Sequence, residues 1–355
     1  TDQKVVSAKW MTTGLGVYLL YVNGKPIGEE FLKPGFTHPL KTRRSFTYDV
    51  TAAFECNAGS ANVLAAQVTP GWWADKIVTS GRVYEGMLGR KCAFRGVLEL
   101  TYADGSKKLY GTDLENWKAG IAGPVKHAAI FDGEEYDARE KMGFECIDKL
   151  ATPEINTEFA GVILPSNGAE IYLRNDKPLS PVLAYIWEGI EGATKEEHGK
   201  VIITKKFEPN APMTLKPGET LVVDFGQNCA AIPSFVFKAA EGTVLTCLPS
   251  EILNDGNGAK SRGMDGPEGS CHRLNLRIPD TGMRILYTFG NNKDYVAYQP
   301  NCSFFGYRYV SITATREVSI QSLKSIPVTS IAKELEIGKI TTGHELVNKL
   351  ISNTY

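Results

Sequence analysis

The alternation of apolar and polar positions is clearest between residues 16 and 48. Val17, Leu19 and Tyr21 interleave with Tyr18, Leu20 and Val22, so a strand here is apolar on both faces. Asn23-Gly24 follows, a pair suited to a type I′ turn because both central residues need positive φ. Pro26-Ile27 returns from the turn. The pattern predicts a hairpin covered on both sides, the nucleus of a β-sandwich.

The same reading extends along the chain. Strands are expected at 4–10, 16–22, 46–50, 62–68, 94–102 and 107–110, with Asp104-Gly105 as a second hairpin turn. Residues 1–140 read as one sandwich. Between 141 and 165, Pro153, Asn156, Gly161 and Pro165 interrupt every periodic run, which predicts a linker. A second sandwich is expected over 166–316, with strands at 171–173, 182–186, 201–207, 220–225, 232–237, 243–248, 273–278, 285–289 and 307–313. The polar, glycine-rich stretch 254–269 is long for a hairpin loop. Residues 317–355 form a connector with a last strand at 318–328. After it, Leu346, Val347, Leu350 and Ile351 fall at helical spacing behind Thr342, an N-cap candidate with Glu345 as capping-box partner. One amphipathic helix cannot bury its stripe alone, so it is expected to begin a helical domain outside this sequence. The fold class is therefore all-β: two consecutive jelly-roll-like β-sandwiches with a short C-terminal helical start.

Size and charge change this picture little. The 355 residues suit two domains. With 39 basic and 40 acidic residues the net charge is −1, which gives no pull toward nucleic acid or an anionic membrane. No apolar run reaches the ~18 residues of a membrane span. Seven cysteines, widely spaced and without a CxxC pair, read as small buried hydrophobes.

Three groups of residues are candidates for chemistry. Trp72 and Trp73, with Asp75 close behind, follow a buried strand; on an extended segment one ring faces the core and the other is free to stack on the C–H face of a sugar. Packing of both rings is the alternative. Asp132, Glu134 and Asp137 crowd oxygen ligands near Arg139, which leaves room for Ca²⁺ although no cofactor is required; a solvated, paired edge is the alternative. Glu251, Asp255, Asp265 and Glu268 lie on or near the long loop, where two carboxylates at glycosidase spacing would be an active site, while Lys260, Arg262 and Arg273 are available to pair with them. The five histidines show no HxH or HExxH spacing, and GxSxG, P-loop and GxGxxG motifs are absent.

Several strings taken together resemble the non-catalytic β-domains of bacterial α-L-rhamnosidases, glycoside hydrolase family 78. They are 16–28 (GVYLLYVNGKPIG), 32–37 (LKPGFT), 47–51 (TYDVT), 71–73 (GWW), 117–119 (WKA) with Gly123-Pro124, 131–139 (FDGEEYDAR), 224–228 (DFGQN) and 304–310 (FFGYRYV). Departures are Thr69-Pro70 ahead of Gly71-Trp72 and Cys229-Ala230-Ala231 after the DFGQN string. The resemblance covers most of 14–313 and assigns 166–316 to a concanavalin-like sandwich. It implies a parent protein that hydrolyses terminal α-L-rhamnosides with inversion, using two carboxylates of an (α/α)₆ barrel beyond Tyr355. It further implies a rhamnose-containing glycan and that catalytic domain as partners, a periplasmic or extracellular setting, and no catalytic residue in this chain. A stand-alone carbohydrate-binding module and a structural docking domain are the alternatives.

Overall fold

The computed structural model describes residues 1–79, 82–168, 170–258, 265–274, 282–331 and 333–354. The expected hairpin is present: Val17–Val22 pairs with Lys25–Ile27, and Asn23 (φ 50°) and Gly24 (φ 76°) make the turn. Leu64–Thr69 pairs along the other edge of Val17–Val22 to complete a three-stranded sheet. Opposite it stands a five-stranded sheet in the order Val162–Pro165, Thr42–Asp49, Val5–Leu15, Ala93–Tyr102, Lys107–Gly111. Alternation in Ala93–Tyr102 turns Leu98, Leu100 and Tyr102 inward, where they meet Trp10, Tyr18, Leu20 and Val22 from the two layers. Val17, on the other face of the hairpin, is also buried, so both faces are covered as the pattern requires.

The second unit is built on one long strand, Thr220–Ala239. Two separate strands are expected there from the sequence. They are one because the break is a bulge: Asp224 lies opposite Tyr309 and Cys229 opposite Tyr307. Gly226 adopts φ 77° in the bulge, and its N–H donates to the Asp224 carboxylate at 2.6 Å. Before the bulge the strand pairs with Leu183–Glu191 and Phe305–Ala314; after it, mainly with Val318–Thr329. Its aromatic residues Phe235 and Phe237 meet Tyr287, Phe289, Tyr298, Phe305 and Tyr307 in the larger core. Val318–Thr329 therefore belongs to this sandwich rather than to a connector. The strand expected at 273–278 runs into residues 275–281, outside the described residues.

Two segments interlock the units. Gly133–Asp137, ahead of residue 140, joins the second unit by pairing parallel to Arg284–Thr288, with Val125–Ala129 alongside it. Val162–Pro165, within the stretch expected as linker, returns to the first unit and pairs parallel to Thr42–Asp49. The seam between the units is itself apolar: Val17, Phe31 and Leu32 pack with Ile130, Ile232 and Ile326. Burial of this kind contributes roughly 1.5–3 kcal/mol per large side chain.

Near the C-terminus, Glu345–Thr354 is helical and buries no residue; Leu346 and Leu350 are exposed. Thr342 Oγ1 accepts the His344 N–H at 3.2 Å, as a capping residue would. The side chain that reaches back is Asn348, not Glu345: its Oδ1 takes the Thr342 N–H at 2.7 Å and its Nδ2 donates to the Thr342 carbonyl at 2.8 Å. No helix among the described residues is long and apolar enough to cross a membrane.

Candidate functional site: an aromatic face beside the seam

Trp72 and Trp73 do not sit on an extended segment. Gly71–Ala74 is a single helical turn entered through Pro70, and Gly71 has φ 51°. A Cβ on Gly71 would stand 2.6 Å from the backbone nitrogen of Val17, so only glycine fits this approach. Helical geometry sends neighbouring side chains about 100° apart rather than to opposite faces. Trp73 is buried and structural: its indole N–H donates to the Lys91 carbonyl at 3.0 Å, and the Arg43 guanidinium lies 4.7 Å from its ring. Burial lowers the Arg43 pKa to about 10.

Trp72 is half-buried. Its ring packs edge-on against Phe36 at 5.5 Å and Phe131 at 6.0 Å. Phe36 is 59% exposed and, with Trp72, forms the open part of an aromatic face. Pro34, Gly35, Thr37, Pro39 and Arg43 line a shallow recess beside it of about 10 Å³, room for about one water. Half-buried Trp72 and exposed Phe36 offer a small aromatic patch, not a broad exposed indole platform. Phe36 lies in a proline-glycine turn, where no periodicity marks it; within the sequence only the string 32–37 points to it.

Asp75 is a fastener for this face. Its carboxylate accepts the N–H of Lys76 at 2.7 Å and that of Ile130 at 2.9 Å, tying the tryptophan turn to the segment that enters the second unit. Burial pushes its pKa up against those two hydrogen bonds.

Asp132, Glu134 and Asp137 do not converge on a common point. Asp132 pairs with Lys76 at 2.7 Å, and Asp137 is gripped by the guanidinium of Arg139 at 2.9 and 2.7 Å. Glu134 is 1% exposed and holds three donors: the Tyr298 hydroxyl at 2.9 Å and the N–H groups of Asn301 and Cys302 at 3.0 and 3.1 Å. Their separate partners keep the three apart, and each is used by the fold. Among the described residues no group of three or more His, Cys, Asp or Glu side chains is placed to hold a metal ion.

The loop carboxylates are likewise engaged singly. Asp265 accepts from His272 Nδ1 at 2.9 Å, assigned as the protonated nitrogen by this contact, and from the N–H groups of Arg273 and Leu274. Glu268 pairs with Lys200 at 2.8 Å, the Asn228 amide lies 3.5 Å from Glu251, and Asp255 accepts the Asn257 N–H at 3.1 Å. Lys260 and Arg262 lie outside the described residues. All seven cysteines are free thiols, but only Cys247 and Cys302 are buried as expected; Cys92 is exposed and the other four are half-buried, and burial raises Cys271 to about 12.

Known proteins resemble this chain along nearly its whole length. The α-L-rhamnosidase N-terminal domain model matches residues 3–153, and the bacterial α-L-rhamnosidase concanavalin-like domain model matches residues 214–329. An α-L-rhamnosidase of Streptomyces avermitilis is 30% identical over 312 residues, which cover 88% of this chain and 26% of that protein. One from Alteromonas sp. (strain LOR) is 24% identical over 357 residues, 99% of this chain and 33% of that protein. The crystal structure of Streptomyces avermitilis α-L-rhamnosidase complexed with L-rhamnose superimposes with a TM-score of 0.73 at 25% identity, covering 99% of this chain and 29% of that one. The chain thus spans about a quarter to a third of the length of these relatives.

Proposed function

The chain belongs to the bacterial α-L-rhamnosidases, of which it carries the N-terminal and concanavalin-like β-domains, and we propose that the whole protein hydrolyses terminal α-L-rhamnosides with inversion while this region serves it without catalysing. The observation that carries this reading is the joint one just given: near-complete coverage of this chain by proteins three to four times its length. The carboxylates of the long loop support it, since each described one is engaged by a cation, an amide or a backbone N–H instead of facing a partner acid across a cleft.

Within this region the sugar-contacting face is Trp72 with Phe36; Trp73 and Asp75 hold that face in place. The negative face of an exposed aromatic ring suits the C–H surface of a deoxyhexose. An aryl α-L-rhamnoside incubated with the purified chain is expected to show no turnover. Turnover that tracks the chain and disappears in Glu251→Gln or Asp265→Asn would refute the ancillary role. Calorimetric titration with L-rhamnose, with and without Ca²⁺, is expected to give weak saturable binding that Trp72→Ala weakens. A flat titration in both conditions removes the sugar-contacting role and leaves a docking domain.

A further inference from the structure

A second recess lies in the concanavalin-like unit, away from the tryptophan face, and it arises from a missing rung in a sheet. Along Val318–Thr329, residues 318–320 pair with Met213–Leu215, and residues 328–329 pair with Tyr172–Leu173. Ser325 exchanges both main-chain hydrogen bonds with Leu179, at 2.8 and 3.0 Å, on the side away from Pro233. By the two-residue alternation of a strand, the N–H and C=O of Leu323 face that same side. Between Leu179 and Met213, however, no strand pairs there among the described residues. The gap is a cavity of about 250 Å³ bounded by Ser180, Pro181, Pro209, Asn210, Met213 and Lys324.

The polar groups in it are oriented. The Lys324 ammonium donates to Ser180 Oγ at 2.8 Å and to Asn210 Oδ1 at 2.7 Å, two neutral acceptors, which leaves one N–H. It makes no ion pair among the described residues. Asn210 has φ 61°, a left-handed conformation that asparagine tolerates, and this bend brings its amide to Lys324. Glu208 and Gln321, both exposed, stand on the rim. Pro181, Met213 and Leu323 supply apolar surface.

We propose that this cavity binds one neutral monosaccharide-sized polyol. The volume is below the ~300–1,000 Å³ of sites for larger ligands, so it suits one ring. A hydroxyl can accept the remaining Lys324 N–H and the Leu323 N–H, and another can donate to the Leu323 carbonyl or to Glu208. The rim carboxylate opposes an anion. The apolar walls suit C–H groups. Without an aromatic platform the affinity is weak, with Kd of about 1 mM or above.

The test is amide NMR of the 355-residue chain titrated with L-rhamnose, D-galactose and D-galacturonate up to about 100 mM. Saturable shifts at Asn210, Ser322, Leu323 and Lys324 are expected with the neutral sugars, distinct from the shifts L-rhamnose produces around Trp72 and Phe36. Lys324→Met, which keeps the aliphatic stem, is expected to weaken them at least tenfold (about 1.4 kcal/mol). Asn210→Gly keeps the positive φ but removes the amide that aims Lys324, and is expected to weaken them by a smaller factor. If Lys324→Met does not fold, Ser180→Ala together with Asn210→Gly makes the same test. Trp72→Ala is expected to leave the shifts at these four residues unchanged. No saturable shift with a neutral sugar, a response to galacturonate alone, full response in Lys324→Met or in the paired variant, or loss in Trp72→Ala would each overturn the proposal.

Discussion

Glu134 anchors Gly133–Asp137 in the second unit, and the cost of removing it follows from its three donors. One carboxylate oxygen accepts the Tyr298 hydroxyl; the other accepts the N–H groups of Asn301 and Cys302. Glu134→Leu fills similar space but strands all three donors in the interior, at roughly 1 kcal/mol each, so a loss of about 3 kcal/mol is expected. Glu134→Gln is different. Its amide oxygen can keep the two N–H bonds, and its NH₂ can donate to Tyr298, whose hydroxyl rotates to accept. A cost below about 1 kcal/mol is expected. Burial raises the Glu134 pKa above the ordinary carboxylate range. A raised folded-state pKa contributes stability that is complete below the unfolded value and is lost as pH climbs through the folded value. Wild type should therefore lose stability relative to Glu134→Gln between about pH 5 and pH 8, because glutamine has no such proton to lose. Urea unfolding followed by tryptophan fluorescence, at both pH values, measures each difference; titrations common to both proteins cancel. Equal costs for glutamine and leucine, or a wild-type-to-glutamine difference that does not move with pH, would refute the reasoning.

Three further outcomes are expected. Gly133→Ala places a Cβ 1.9 Å from the Arg284 carbonyl oxygen at a residue with φ 105°, so the parallel pairing must shift; a loss of about 3 kcal/mol or more is expected in urea unfolding. Asn23→Ala and Asn23→Gly both lose the bonds to Ala53, Asn62 and Val63, but only alanine also strains the turn; the glycine variant should be more stable by about 1 kcal/mol, and equal stabilities would place the strain elsewhere. Leu346→Ser with Leu350→Ser should leave the unfolding midpoint within about 0.5 kcal/mol of wild type, since both side chains are exposed; a larger drop would show that the helix is packed.

What was legible in the sequence is what local chemistry dictates. Asn23-Gly24 announces a turn in which both residues take positive φ, Asp104-Gly105 one in which only Gly105 does (φ 82°), and the alternation in 94–102 announces which side chains face inward. The bulge in Thr220–Ala239 read as a strand end because an exposed polar stretch at 226–228 looks like a loop until the flanking halves are seen to share one direction. Gly71 explains the tryptophans: their extended geometry failed because a glycine at φ 51° admits a helical turn where a strand was continuing.

The parallel pairings that interlock the units left no trace of this kind. Glu134 lies opposite Ile285 and Val162 opposite Thr42, across long stretches of chain and with no tight turn between them. A parallel pair needs no particular turn residue, so its partners cannot be read from sequence spacing. The consequences are nonetheless written in single residues. Gly133 is glycine because the Arg284 carbonyl occupies its Cβ position, and Gly161 is glycine where the chain meets the Lys41 carbonyl at 2.3 Å from the same point. Each marks the place where a returning segment presses backbone on backbone. Asp75 does the same with hydrogen bonds, since it fastens the tryptophan turn to Ile130 just before the chain crosses the seam. The aromatic face and the crossing are therefore fastened together at Asp75 and Ile130.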